Sequence, residues 1–267
     1  MSLFDAGHER PASAPAPAPA RFKLTVAYDG TGFHGFAAQR DVRTVEAVLG
    51  DALAKVLRSS VATLRLTCAG RTDAGVHAWG QVVGITAPAD TDPHELRRSV
   101  TRMLGPEVVV RRAEVAPLDF DARRSAKWRR YRYMIVNRPE PDPFLARYSW
   151  WVPEPLDLSL LRLAADPFVG EHDFAAFCRR GPAGSTTVRR VLDSRWLPCP
   201  DDGVLRYEIR AAAFCWQMVR SIVGTIVDAG GGRRRPGEIL GTLRRGDRSA
   251  AGQLAPAQGL VLHDVGY

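Results

Sequence analysis

Apolar and polar positions alternate from Phe22 onward, with Phe22, Leu24, Val26 and Tyr28 set against Lys23, Thr25 and Ala27, and this period of two predicts a strand that ends at Asp29-Gly30. Thr44 then offers a helix cap, and Val45, Val48, Leu49, Ala52, Leu53, Val56 and Leu57 fall on one stripe of the helix that follows. Strands are predicted over 62–68 and 81–86, a helix over 93–104 and a strand over 108–115, giving the order βαββαβ. The second half repeats that order: a strand over 128–136, a helix over 156–165, strands over 188–197 and 204–213, a helix over 216–228, a short helix over 236–244 and a last strand over 260–265. On the 216–228 helix, Val219, Ile222, Val223, Ile226 and Val227 form the buried stripe. The expectation is an α+β fold of two ferredoxin-like halves, 21–118 and 119–267, each an antiparallel sheet with helices on one face, the open faces lining a shared groove.

Composition adds a leader and a charge. Residues 11–20, PASAPAPAPA, cannot hold a helix or build a core, so 1–20 is expected to be a disordered leader. Hydrophobic residues at 45% and charged residues at 25% are ordinary globular values, which excludes wholesale disorder and a fibrous chain. No apolar run reaches the roughly 18 residues of a membrane span, and MSLFDAGHER lacks the features of a secretory signal, so a soluble, cytoplasmic protein is expected. Cys68, Cys178, Cys199 and Cys215 show neither disulfide nor zinc-ligand spacing and are read as free thiols, with no metal site. Lys and Arg total 37 against 29 Asp and Glu, a net charge of +8 that suits a polyanionic partner such as nucleic acid. The strong preference for arginine over lysine is equally what a GC-rich genome produces.

Three segments carry candidate chemistry. CAGRTDAGVHA, from Cys68, sets the carboxylate of Asp73 between Arg71 and Gly75 in a tight loop, which reads either as an active site or as a hairpin turn with Asp73 capping it. His77 has no ligand partner at suitable spacing and reads as a packed or surface histidine. RRSAKWRRYRY, from Arg123, holds six basic residues and three aromatics; in a strand Tyr131, Tyr133 and Ile135 share one face and Arg130 and Arg132 the other. Such a strand offers a stacking platform and a phosphate-facing edge, although an ordinary half-exposed strand has the same texture. Arg220, in FCWQMVRSIVG, stands at the margin of its helix's apolar stripe, either snorkelled to solvent or paired with an acid. The absence of GxGxxG after a strand, GxxxxGK[ST], HExxH and GxSxG leaves nucleotide-cofactor, P-loop, zincin and serine-hydrolase readings without support, and no cofactor is implied.

CAGRTDAGVHAWGQVV resembles the signature loop of the TruA family of tRNA pseudouridine synthases. YDGTGFHGF, RTVEAVLG, RRYRY, HDFAAF and FCWQMVRSIVG resemble further segments of that family, in order, from about Phe22 to Tyr267. The resemblance implies an isomerase that turns uridine into pseudouridine at positions 38–40 of the tRNA anticodon arm, by flipping out the nucleotide and using Asp73 as nucleophile. It also implies that Arg71 holds the vacated place, that Tyr131 stacks on the uracil and assists proton removal, and that Arg220 pairs with Asp73. Leu260 would help wall the pocket. The implied enzyme is a homodimer that holds tRNA in a central RNA-binding cleft and needs no cofactor. Phe36, Ala37, Ala38 and Gln39 stand where the family usually has a tryptophan and two spaced glutamines, Glu46 where a glutamine is usual, and TRMLG around Met103 where the family has an asparagine-containing segment. An idle RNA-binding protein and a synthase acting on another RNA are the alternatives.

Overall fold

A computed structural model describes residues 18–179, 181, 184–199 and 203–267. Most of the expected leader, residues 1–17, lies outside the described residues. In chain order the elements are β1 (Pro19–Tyr28), α1 (Val45–Val56), β2 (Thr67–Cys68), β3 (His77–Pro88), α2 (Pro93–Leu104), β4 (Val108–Ala116), β5 (Trp128–Val136), β6 (Trp150–Trp151), α3 (Leu158–Ala165), β7 (Gly170–Asp173), β8 (Val188–Pro198), β9 (Val204–Ala211), α4 (Met218–Gly230), α5 (Glu238–Arg245) and β10 (Leu260–Gly266). This is a mixed α+β architecture built on one large, mostly antiparallel sheet.

The predicted alternation of β1 is realised, since Phe22, Leu24, Val26 and Tyr28 are all buried. The strand starts at Pro19, earlier than its first apolar residue, because Pro19 and Ala20 still pair with Pro88 and Ala87 of β3. Proline is tolerated at a strand's first position, where it need not donate to the ladder. Thr44 caps α1 by accepting from the Ala47 N–H, and Asp157 caps α3 by accepting from Ser159 and Leu160. The strand expected over 62–68 is reduced to Thr67 and Cys68. Ser60 accepts from the Thr63 N–H, the chain turns through 61–65, and Arg65 sits at φ +45°, which ends any extended run. β3 is longer than expected because β1, β2 and β10 all pair with it.

The two expected sheets are joined into one. The strand order is β4-β1-β3-β10-β5-β9-β8-β7, with β2 on β3 and β6 on β5. β10, the last strand of the chain, lies between the first half and the second, parallel to β3 through Val261–His77 and Leu262–Ala78 and antiparallel to β5. One cluster of buried residues takes in side chains of both halves. A smaller cluster of Ala69, Val82 and Ala122, with Phe120 and Tyr267 against it, lies on the other face of the sheet, since Val82 and Val83 point to opposite sides. Among the described residues no helix is long and apolar enough to cross a membrane.

Candidate active site

The loop that joins β2 to β3 carries Asp73, and backbone contacts fix its path. Gly75 at φ +76° makes the turn that a side chain would resist, and the Val76 N–H closes it on the Asp73 carbonyl at 3.2 Å. The Phe36 N–H donates to the Thr72 carbonyl at 3.0 Å and the Gly75 N–H to the Phe33 carbonyl at 3.3 Å, tying the loop to the segment after β1. Tyr28 and Thr72 share a hydroxyl–hydroxyl bond of 2.7 Å. Gln81, fully buried, donates to the Gly70 carbonyl at 2.6 Å and accepts from the Gly70 N–H at 3.4 Å. From β5, the Arg129 guanidinium donates to the carbonyls of Ala69, Arg123, Ala126 and Ala212. A loop held by this many internal bonds is a rigid mount for its acid.

Three elements converge on that acid. The Asp73 carboxylate is about a quarter exposed; its Oδ2 lies 3.6 Å from Arg220 Nη1 in the first turn of α4, and its Oδ1 accepts a 2.8 Å hydrogen bond from Trp216 Nε1. Arg220 is in turn held by its Nε donating to the Ala255 carbonyl at 2.7 Å. Tyr131 is buried on β5, and a Cβ at Gly70 would stand 3.7 Å from its hydroxyl oxygen. Burial first, and the Asp73 charge second, push the Tyr131 hydroxyl well above the ordinary tyrosine range, so it stays a neutral phenol. Phe214 packs edge-on against the Tyr131 ring at 5.0 Å. Cys68 is not an activated thiol, because burial pushes it up to about 11.

Asp73, Tyr131 and Arg220 are therefore brought together. Arg71, two residues before Asp73 on the same loop, is exposed and makes no hydrogen bond or ion pair among the described residues, so its guanidinium is unengaged. Leu260 lies in the core opposite Tyr133 on β5, two ladder positions from Leu262, which pairs with Tyr131. His77 is packed, accepting from the Gly30 N–H at 2.9 Å and meeting the Arg147 carbonyl at 3.0 Å.

The stacking strand needs correction. Tyr133 and Ile135 are fully buried, and the Tyr133 hydroxyl donates to the Pro256 carbonyl, so of that face only Tyr131 reaches the site. Arg130 and Arg132 do not stand free for phosphate; they lie 3.5 Å from Asp264 and 2.7 Å from Glu208. Glu208, almost wholly buried, also meets Arg195 and Arg206. Sequence reasoning missed Trp216, taken as the start of a helix. Gln217 at φ +63° turns the chain before α4 begins at Met218, and this directs the indole to Asp73 instead of along the helix. Among the described residues no group of His, Cys, Asp and Glu is placed to hold a metal ion.

The site is thus an acid on a glycine-shaped loop with a guanidinium and a buried phenol beside it. Residues 24–123 and 164–267 match the family model described as tRNA pseudouridine synthase, and the chain belongs to that family of isomerases. Its curated relatives are proteins named tRNA pseudouridine synthase A. The chain is 42% identical to the one from Leifsonia xyli subsp. xyli, over 92% of this chain and 91% of the relative. It is 43% identical to the one from Streptomyces griseus subsp. griseus, over 92% and 88%, and 38% identical to the one from Pseudothermotoga lettingae, over 92% and 99%.

Proposed function

We propose that this chain isomerises uridine to pseudouridine in the anticodon arm of tRNA, at positions 38–40, with Asp73 as the nucleophile. The observation that carries the reading is the Asp73 carboxylate on its braced loop, 3.6 Å from the Arg220 guanidinium and beside the buried Tyr131. A base inside a paired stem hides its glycosidic bond and C5, so the uridine leaves the stack to react. The unengaged Arg71 holds the vacated place. Tyr131 stacks on the uracil and assists removal of the C5 proton, while Asp73 bonds to C1′ or to C6. The base then turns in the pocket, walled in part by Leu260, and C5 is joined to C1′. Nothing is consumed, and no cofactor is required.

The strand orders β4-β1-β3-β2 and β10-β5-β9-β8 support reading 21–118 and 119–267 as two ferredoxin-like halves with a central RNA-binding cleft between them. The enzyme works in the cytoplasm as a homodimer holding one tRNA across both subunits. An A-form stem presents phosphates and 2′-hydroxyls, which the net charge of +8 suits. The test is incubation with tRNA carrying tritium at uridine C5. Release by the native protein and its loss in Asp73→Ala support the proposal; no release by the native protein ends it. Mapping pseudouridine in tRNA from cells lacking the protein tests the position, since unaltered anticodon arms would exclude it.

A further inference from the structure

We propose that Trp216 is the positioning residue of the Asp73 nucleophile: its indole N–H ties one carboxylate oxygen so that the other is presented to the nucleoside. This rests on the isomerase reading above. One short segment after β9 lays three side chains on the two central groups of the site. Phe214 packs on the Tyr131 ring at 5.0 Å, Trp216 Nε1 donates to Asp73 Oδ1 at 2.8 Å, and Arg220 Nη1 stands 3.6 Å from Asp73 Oδ2.

The orientation of Trp216 is built in. Gln217 adopts a left-handed conformation, φ +63°, which costs a non-glycine residue energy and persists only where the surroundings impose it. Those surroundings are Arg179, whose N–H donates to the Trp216 carbonyl at 2.9 Å and whose guanidinium lies over the indole at 4.2 Å. An aspartate carboxyl otherwise rotates broadly about its last torsion. The hydrogen bond on Oδ1 and the Arg220 charge 3.6 Å from Oδ2, acting from different directions, restrict that freedom. The indole is suited to this because it only donates and does not titrate, so it cannot take a proton from the reaction.

With Oδ1 bonded and Oδ2 beyond hydrogen-bond length from Arg220, Oδ2 is the oxygen that reacts. On the C1′ route its lone pair forms the O–C1′ bond as the N1–C1′ pair leaves with the uracil. On the C6 route that lone pair adds to C6 and the C5–C6 π pair moves toward O4.

The test compares Trp216→Phe, which keeps an aromatic ring for Arg179 but deletes the donor, with Trp216→His, which restores an N–H. In the tritium-release assay Trp216→Phe is expected to lower kcat about 10- to 100-fold with KM within about twofold, and Trp216→His to regain at least about threefold of that loss. In the free full-length protein, the Trp216 indole N–H resonance, assigned by through-bond correlation to its own backbone, should shift in Asp73→Ala, a reading that needs neither activity nor a folded Trp216 variant. A kcat within about twofold of the native value in folded Trp216→Phe, a rise in KM alone, equal losses in the two variants, or an unmoved resonance in Asp73→Ala overturns the proposal. Native protein without label release removes the isomerase reading itself, while the resonance still reports whether the Trp216–Asp73 bond exists.

Discussion

Gly30 lies after β1, far in sequence from Asp73, yet its substitution by alanine should act on that proposed nucleophile. A Cβ there would press into the Val76 carbonyl group, 2.5 Å from its carbon, and lie 3.1 Å from the Gly75 carbonyl carbon. Both are backbone atoms, so no side chain can swing away. Gly30 is held in place by its N–H donating to His77 Nδ1 at 2.9 Å and its carbonyl accepting from Phe33 at 3.0 Å, so the Gly75–Val76 peptide must yield. Ordinary van der Waals contact begins near 3.4 Å, which sets the displacement at about 1 Å. The Val76 N–H is bonded to the Asp73 carbonyl, so the shift passes to Asp73. A misplacement of about 1 Å in a reacting group costs about 100-fold in rate, while the overpacking itself costs about 1–3 kcal/mol of stability. Single-turnover tritium release gives the first quantity and urea unfolding the second. Gly237→Ala is the control, since a Cβ there meets nothing within 4 Å. A folded Gly30→Ala protein with a rate within about threefold of native would refute the claim that this contact sets the position of Asp73.

Two further substitutions test the supports of the loop. The His77 side chain is only 4% exposed, and burial holds its pKa below the ordinary imidazole value of 6.5 although Asp29 pulls the other way. The unfolded chain then takes up the proton more readily than the folded one, so the contribution is fully present above about pH 7 and is lost as pH falls from 6.5 through the lowered folded value. Stability by urea unfolding should therefore drop between about pH 7 and pH 5 in the native protein and less steeply in His77→Asn, whose amide oxygen can still accept from Gly30; equal slopes would sink this account. Arg129→Met strands the buried Ala69 carbonyl along with those of Arg123, Ala126 and Ala212, and should cost about 3 kcal/mol or more in the same assay; a loss under about 1 kcal/mol would show that water replaces the guanidinium.

What the sequence revealed was local. The alternation of β1 and the Thr44 cap of α1 depend on neighbours a few residues apart, and both are found. The strand expected over 62–68 failed because alternation says nothing of Arg65 at φ +45°. The joining of two sheets by β10 was illegible for a different reason: pairing partners such as Val261 and His77 are remote in the chain, and each strand looks the same whether it lies at an edge or a seam. The site divides the same way. Asp73, Tyr131 and Arg220 were marked by motifs, but a lone Trp216 has no periodicity, and its partner is 143 residues away. Arg130 and Arg132 looked like phosphate ligands because one strand does not disclose its register; the Arg130–Asp264 pairing between β5 and β10 and the Arg132–Glu208 pairing between β5 and β9 show where their charge is spent.

The separation of the three site elements also needs a cause, since Asp73, Tyr131 and Arg220 come from a loop, a strand and a helix in different parts of the chain. β10 supplies part of it, pairing with β3 only at His77 and Ala78, just where the Asp73 loop enters the strand. The stretch leading into β10 supplies the rest. The Ala255 N–H donates to the Arg220 carbonyl while its own carbonyl accepts from the Arg220 side chain, the Pro256 carbonyl accepts from Tyr133 on β5, and Ala257 lies where a Cβ on Gly75 would touch it at 3.3 Å. Three consecutive residues thus gauge helix, strand and loop against one another, and two of the three do so through backbone carbonyls. The carbonyls of this strap would survive most changes of its side chains, whereas a change in its length would move all three gauges at once. The precision of the site therefore resides in the path of the chain between α5 and β10 as much as in Asp73, Tyr131 and Arg220 themselves.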